Sequence, residues 1–133
     1  MKIFVDTGAL YALVVPQDSN NTMAKEWFDE NNFPLIMSDY IFDELFTLLT
    51  TRKNKGYSIA VHEELSAGRI PIDIYKIDSN DFARARVIFN SFRDKNWSFT
   101  DCVSYVVMKQ LGISFAFTFD SHFDQFGFVT RVP

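Results

Sequence analysis

Residues 2–13, KIFVDTGALYAL, set a short apolar run directly against a run with helical spacing and place one carboxylate, Asp6, at the join. Residues 2–5 do not alternate between polar and apolar, so they predict a strand buried on both faces. Residues 7–14 predict a helix that begins at once behind a capping-type residue. A buried strand running straight into a helix is the start of a βα unit, and the rest of the chain continues in kind.

Helical spacing returns over 18–30, with Ala24, Trp27 and Phe28 on one side, and PLIM (34–37) reads as a short strand. The next helix covers 38–52 and carries the stripe Ile41, Leu45, Leu48 and Leu49. A helix over 57–67, a strand over 70–75 and helices over 79–93 and 101–111 follow. SFAFTF (114–119) is a strand, DSHFDQF (120–126) a helical turn and FVTRV (128–132) a last strand. Strands alternating with helices predict an α/β fold, three-layer α/β/α, with a mostly parallel central sheet. In such sheets ligands bind beyond the carboxyl ends of the strands, near the point where strand order reverses. Asp6 and Asp120 each follow a predicted strand and fall on that edge.

Bulk properties narrow the class. A chain of 133 residues, 47% hydrophobic and 23% charged, without a Pro-rich or Gly/Ser-rich linker, is expected to form one domain over 1–133. Cys102 is the only cysteine and lies in an apolar run, which excludes an internal disulfide and suits a reducing compartment. With no basic, apolar leader and no run of the ~18 residues a membrane span needs, the expectation is a soluble cytoplasmic protein. A net charge of −4 argues against a simple electrostatic clamp on nucleic acid.

Four acids carry the functional question, and each has a structural alternative. Asp6 could cap the helix that follows it. Asp101 closes SFTD, a capping box with Ser98 as its first member. Asp120 could cap the turn after it, with Asp124 one helical turn on. Glu44 lies at the edge of its helix's apolar stripe, whereas Asp43 is rotated about 100° away onto the polar side. Taken together the four converge on one edge of the sheet, where like charges repel strongly unless cations are present. Oxygen-only sites suit Mg²⁺ first and Mn²⁺ second, and no Cys/His spacing points to zinc. His62 and His122 read as ordinary surface or boundary residues. Setting the four acids aside leaves 13 of the 17, equal in number to the 13 Lys plus Arg. With divalent ions bound, a phosphate can therefore approach, and Arg52, Lys53, Lys55, Arg86 and Arg93 are the candidates to contact it.

Four stretches, FVDTGALYAL, SDYIFDELFTLL, SFTDCVSYVVMKQLGI and FTFDSHFDQFGF, together resemble the PIN domain, and within it the VapC-like ribonuclease group. Their order and spacing carry the resemblance over nearly the whole chain. It implies an acidic quartet at Asp6, Glu44, Asp101 and Asp120, supported by Thr7, Ser98 and Thr118, with Asp124 as a further supporting acid. It further implies hydrolysis of RNA phosphodiester bonds with one or two Mg²⁺ or Mn²⁺ ions per site. Relatives of this group are commonly toxins held by a small antitoxin, and homodimers are common. Leu10, Tyr11, Leu13, Val14, Trp27 and Phe28 either supply an apolar groove for such a partner or, as faces of amphipathic core helices, need none. A housekeeping RNA-processing nuclease and a non-cleaving RNA- or protein-binding module are the alternatives. A haloacid-dehalogenase-like site fits poorly, because it wants an acid where Gly8 stands. A receiver domain fits poorly too, because SHF rather than a lysine follows Asp120.

Overall fold

The computed structural model describes residues 1–133, in the order β1 (Ile3–Val5), α1 (Thr7–Val14), α2 (Asn21–Glu30), β2 (Leu35–Ser38), α3 (Asp39–Arg52), α4 (Lys55–Ser66), β3 (Ile72–Tyr75), α5 (Ser79–Ser91), α6 (Phe99–Leu111), β4 (Phe115–Phe117), a 3₁₀ turn (Ser121–Phe126) and β5 (Thr130–Val132). The five strands form one sheet in the order β3-β2-β1-β4-β5, every pair parallel, with helices on both faces. Two helices connect each strand to the next up to β4, as parallel pairing demands. The link from β4 to β5 is only about a dozen residues, near the shortest such a crossover allows, and the 3₁₀ turn fills it.

Strand character follows position in the sheet. β1 and β2 are buried throughout, as their unbroken apolar runs predict. β3 is an edge strand, and its Asp73 and Ile74 face solvent. Around β1 the core gathers Phe4, Leu10, Met37, Ile41, Leu45, Leu49, Phe117 and Phe123, all essentially inaccessible. Cys102 is buried with them, and burial pushes its thiol up to about 11, the state of an inert core thiol.

Element ends differ from expectation where capping decides them. α4 starts at Lys55, two residues early, because the Asn54 side chain accepts from the Tyr57 N–H at 2.8 Å. α5 stops at Ser91, so Arg93 lies beyond the helix and does not share a face with Arg86. α6 starts at Phe99 behind the Ser98–Asp101 capping box, and ends on Gly112, whose φ of +66° is the left-handed value glycine adopts freely.

The chain fills the β3 side of β1 first and then crosses to the other side for β4. Strand order therefore reverses between β1 and β4, and the residues after these two strands, Asp6 and Thr118–Asp120, face one crevice at the carboxyl edge.

Candidate functional site

A cleft of about 500 Å³ opens at that edge, and its lining includes Asp6, Glu44, Asp101 and Asp120. Four elements supply these carboxylates. Asp6 stands between β1 and α1, Glu44 projects from the middle of α3, Asp101 from the first turn of α6, and Asp120 follows β4. No ion pair in the chain brings a lysine or arginine to any of the four.

The structural alternatives resolve one by one. Asp6 makes no capping bond to α1. Its Oδ2 instead accepts from the Thr118 hydroxyl at 3.0 Å, and the same Thr118 oxygen accepts from the Asp120 N–H at 3.0 Å. Asp101 does serve the capping box, accepting from the Ser98 N–H at 3.0 Å, while Ser98 Oγ accepts from the Asp101 N–H at 3.0 Å. That bond aims the carboxylate into the cleft and does not remove it from the site, because each carboxylate has two oxygens and about four acceptor positions. Asp120 caps the 3₁₀ turn through Oδ1, which accepts from the His122 N–H at 2.8 Å. Glu44 is half-buried where Asp43 is exposed, as the helical phase predicts.

Burial pushes the Asp6 carboxyl up to about 7, reinforced by the neighbouring charges of Asp101 and Asp120 and opposed by the Thr118 hydroxyl and the Thr7 amide. An acid half-protonated near neutrality, beside two more acids and with no lysine or arginine ion-paired to any of them, is a site short of positive charge. The Thr7 hydroxyl adds to this: it lines the cleft, is 3% exposed and has no hydrogen-bond partner. Carboxylate oxygens with a spare hydroxyl are the donor set of a hard divalent cation, and the residues present fit one.

Some expected residues lie elsewhere. Asp124 is paired with Arg131 Nε at 2.8 Å and does not line the cleft, because the 3₁₀ turn carries it outward. Of the five candidate cations only Arg52 lines the cleft, its guanidinium 5.3 Å from the centroid of the Tyr11 ring. Lys53 reaches Gln17 and the Tyr57 ring, Lys55 borders a separate hollow between α3 and α4, and Arg86 lies among Phe82, Phe89 and Phe99. Arg93 points back to the Asn90 carbonyl. Of the two readings of the α1–α2 apolar set, core packing holds: Leu10 is 1% exposed, and Tyr11, Leu13, Val14, Trp27 and Phe28 pack onto the core, Trp27 stacked 4.2 Å from Phe117.

The two histidines differ in their surroundings. His62 is exposed and edge-on to Phe42 and Phe46, an ordinary surface residue. His122 instead lines the acid cleft, its Nδ1 3.1 Å from Asp101 Oδ2 and 3.7 Å from Asp120 Oδ2. Its sequence signal is an aspartate two residues ahead at the head of a tight turn, since such a side chain accepts from the backbone two positions on and holds that residue beside it.

A model of the PIN domain matches residues 3–129, and the chain belongs to that family. Among curated proteins it is similar to the 23S rRNA-specific endonuclease VapC20 of Mycobacterium tuberculosis, at 28% identity over 131 residues and 98% of each chain, in two strains. The crystal structure of that M. tuberculosis VapC20, described as a toxin cleaving the sarcin-ricin loop, superposes with a TM-score of 0.89 at 26% identity, covering 98% of this chain and 99% of that one. The fold is shared more distantly with FitAcB of Neisseria gonorrhoeae, with a TM-score of 0.72, 19% identity and coverage of 100% and 97%. It is shared also with VapBC2 of Rickettsia felis, with a TM-score of 0.68, 11% identity and coverage of 99% and 98%. No helix is long and apolar enough to cross a membrane.

Proposed function

We propose that this PIN domain, read as one unit over 1–133, is a metal-dependent endoribonuclease that hydrolyses phosphodiester bonds in RNA, and that it is the toxin of a type II toxin–antitoxin pair acting in the cytoplasm. The observation that carries the reading is the convergence of Asp6, Glu44, Asp101 and Asp120, from four separate elements, on one cleft without a lysine or arginine among their ion-pair partners. The near end-to-end match to a protein named as an endonuclease supports the choice of chemistry.

Asp6, Glu44, Asp101 and Asp120 would hold one or two Mg²⁺ or Mn²⁺ ions. Such an ion supplies positive charge for the phosphate and lowers the pKa of water towards neutrality. The protein's own part is placement. Thr118 ties Asp6 to the backbone of Asp120, so two ligands from opposite sides of the strand-order reversal keep a fixed separation. The Ser98 amide orients Asp101 in the same way. Glu44, without a lysine or arginine partner, is positioned across the cleft to hold the ion or to orient a water for attack. Arg52, braced on Tyr11, is the cation nearest to hand for the substrate's backbone.

Incubation with total RNA in Mg²⁺, followed by sequencing of the new ends, tests the proposal, and 23S rRNA is the first substrate to inspect. Discrete cuts that vanish in Asp6→Asn and Asp101→Asn support it. RNA binding without cleavage in either Mg²⁺ or Mn²⁺, unchanged in Asp6→Asn, would make the chain a binding module. Growth arrest on induction, lost in Asp101→Asn, marks the toxin; cleavage with unaffected growth marks a housekeeping nuclease. For an antitoxin or a second copy of the chain, α5 leaves three large apolar residues in solvent, Phe82, Val87 and Phe89, whereas Leu10 of α1 is buried.

A further inference from the structure

We propose that His122 is a nitrogen ligand of the cation held by Asp101 and Asp120, and that it biases the cleft towards Mn²⁺ over Mg²⁺; the inference rests on reading the cleft as a cation site. Asp101, Asp120 and His122 each present one ligand atom, and the three atoms lie within 4.8 Å of one another. Two atoms bound at ~2.1 Å on opposite sides of one ion stand ~4.2 Å apart, so the widest pair needs to close by roughly 0.6 Å to share one. Nδ1 is the imidazole nitrogen that faces both carboxylates.

The ring is placed by the backbone and not by chance contact. The His122 N–H is tied to Asp120 Oδ1 at 2.8 Å, and the next residue, Phe123, is wholly buried beneath the turn. His122 itself is 31% exposed through its side chain, so an ion can reach Nδ1 from the cleft. The independent sign that the cleft awaits a ligand is the Thr7 hydroxyl, buried, unpartnered and lining the same space.

The donor type decides which ion gains. Carboxylates suit both ions, but Mg²⁺ demands oxygen donors and gives up its waters reluctantly, whereas Mn²⁺, as a first-row transition ion, takes an imidazole nitrogen more readily than Mg²⁺ does. An all-carboxylate cleft would leave the two ions closer in affinity. Adding one imidazole favours Mn²⁺ and leaves Mg²⁺ with a donor it uses poorly.

Pulsed EPR of the Mn²⁺-loaded protein tests this directly, because a coordinated imidazole gives ¹⁴N modulation that a distant one does not. The wild type is expected to show that modulation, and His122→Gln and His122→Asn to lose it. The preference for Mn²⁺ over Mg²⁺, measured by competition, should fall about tenfold in both variants, while Mg²⁺ affinity changes much less. Circular dichroism spectra matching the wild type show that both variants are folded. Bound Mn²⁺ without ¹⁴N modulation in the wild type, or an unchanged preference in both variants, overturns the role of His122 and leaves the cation site standing. A free Mn²⁺ signal undiminished by the wild type, and equally by Asp101→Asn, overturns the cation site and this inference with it.

Discussion

The Thr118 hydroxyl donates to Asp6 Oδ2 at 3.0 Å across 112 positions of sequence, joining the end of β4 to the end of β1. The same oxygen accepts from the Asp120 N–H, so one small side chain sets the spacing of two of the four acids. Thr118→Val keeps the shape and removes both bonds. The Asp6 carboxyl should then titrate higher, since the hydroxyl is what lowers it most. Divalent-ion affinity should drop roughly 10- to 100-fold, and stability by about 1–3 kcal/mol for the stranded amide. Calorimetric titration with Mn²⁺ and a thermal melt measure the two effects. Unchanged affinity would show that Thr118 is only packing.

Folding raises the Asp6 carboxyl from its ordinary 3.8 to about 7, so the folded, metal-free chain keeps a proton that the unfolded chain has already released. The contribution of this group to stability is greatest below about pH 4, declines as pH rises towards 7 and then levels off. Asp6→Asn removes the titration. Its melting temperature should equal that of the wild type near pH 4 and exceed it increasingly up to pH 7, by on the order of a few kcal/mol in stability. A gap that does not vary with pH would mean that Asp6 is not raised. The same substitution should abolish metal-dependent cleavage, because the ligand charge is gone although the size is kept.

Adding a divalent ion should reverse that pH dependence, since the ion displaces the Asp6 proton. At an ion concentration about 100-fold above Kd, stability should rise by about 2.7 kcal/mol, roughly 10 °C in Tm for a chain of this length. Differential scanning fluorimetry at pH 7.5 reads it, a chelator should undo it, and Asp101→Asn should blunt it. A Tm indifferent to Mg²⁺ and Mn²⁺ in the wild type contradicts the cation site.

Arg52 and Arg93 are both exposed, but only Arg52 lines the acid cleft. Arg52→Ala should lower kcat/KM for RNA cleavage about tenfold, the scale of one charge-assisted phosphate contact, and Arg93→Ala should stay within about twofold. Equal losses would move the RNA path away from the cleft, towards the C-terminal end of α5 that Arg93 follows.

Phe123 is fully buried beneath the turn that carries Asp120 and His122, its ring 4.9 Å from that of Phe126 and 6.5 Å from that of Phe4. Phe123→Ala should cost about 3–5 kcal/mol in chemical denaturation. Cation affinity should fall with it, because the turn that orients both residues loses its anchor. A stable variant with weakened cation binding would show that the turn's rigidity matters locally; loss of stability alone would show that it does not.

Much of this was readable along the chain because the physics is local. Unbroken apolar runs identified β1 and β2, helical phase turned Glu44 inward and Asp43 outward, and SFTD declared the cap of α6. Where a side chain's neighbours come from distant elements, the linear pattern was silent or misleading. Leu10 and Trp27 look like a free apolar face until the sheet covers them. Asp124 resembles a fourth-motif acid until the 3₁₀ turn points it at Arg131. His122 looks solvated until α6 brings Asp101 alongside it. By itself the sequence determined the α/β alternation, the three acids at strand ends or a helix start and the inward phase of Glu44 along α3, since hydrophobic period and capping act within a few residues. Only the tertiary structure decided that β4 crosses to the far side of β1, and that crossing is what sets Asp6, Thr118, Asp120 and His122 within reach of one another; long-range pairing has no local signature.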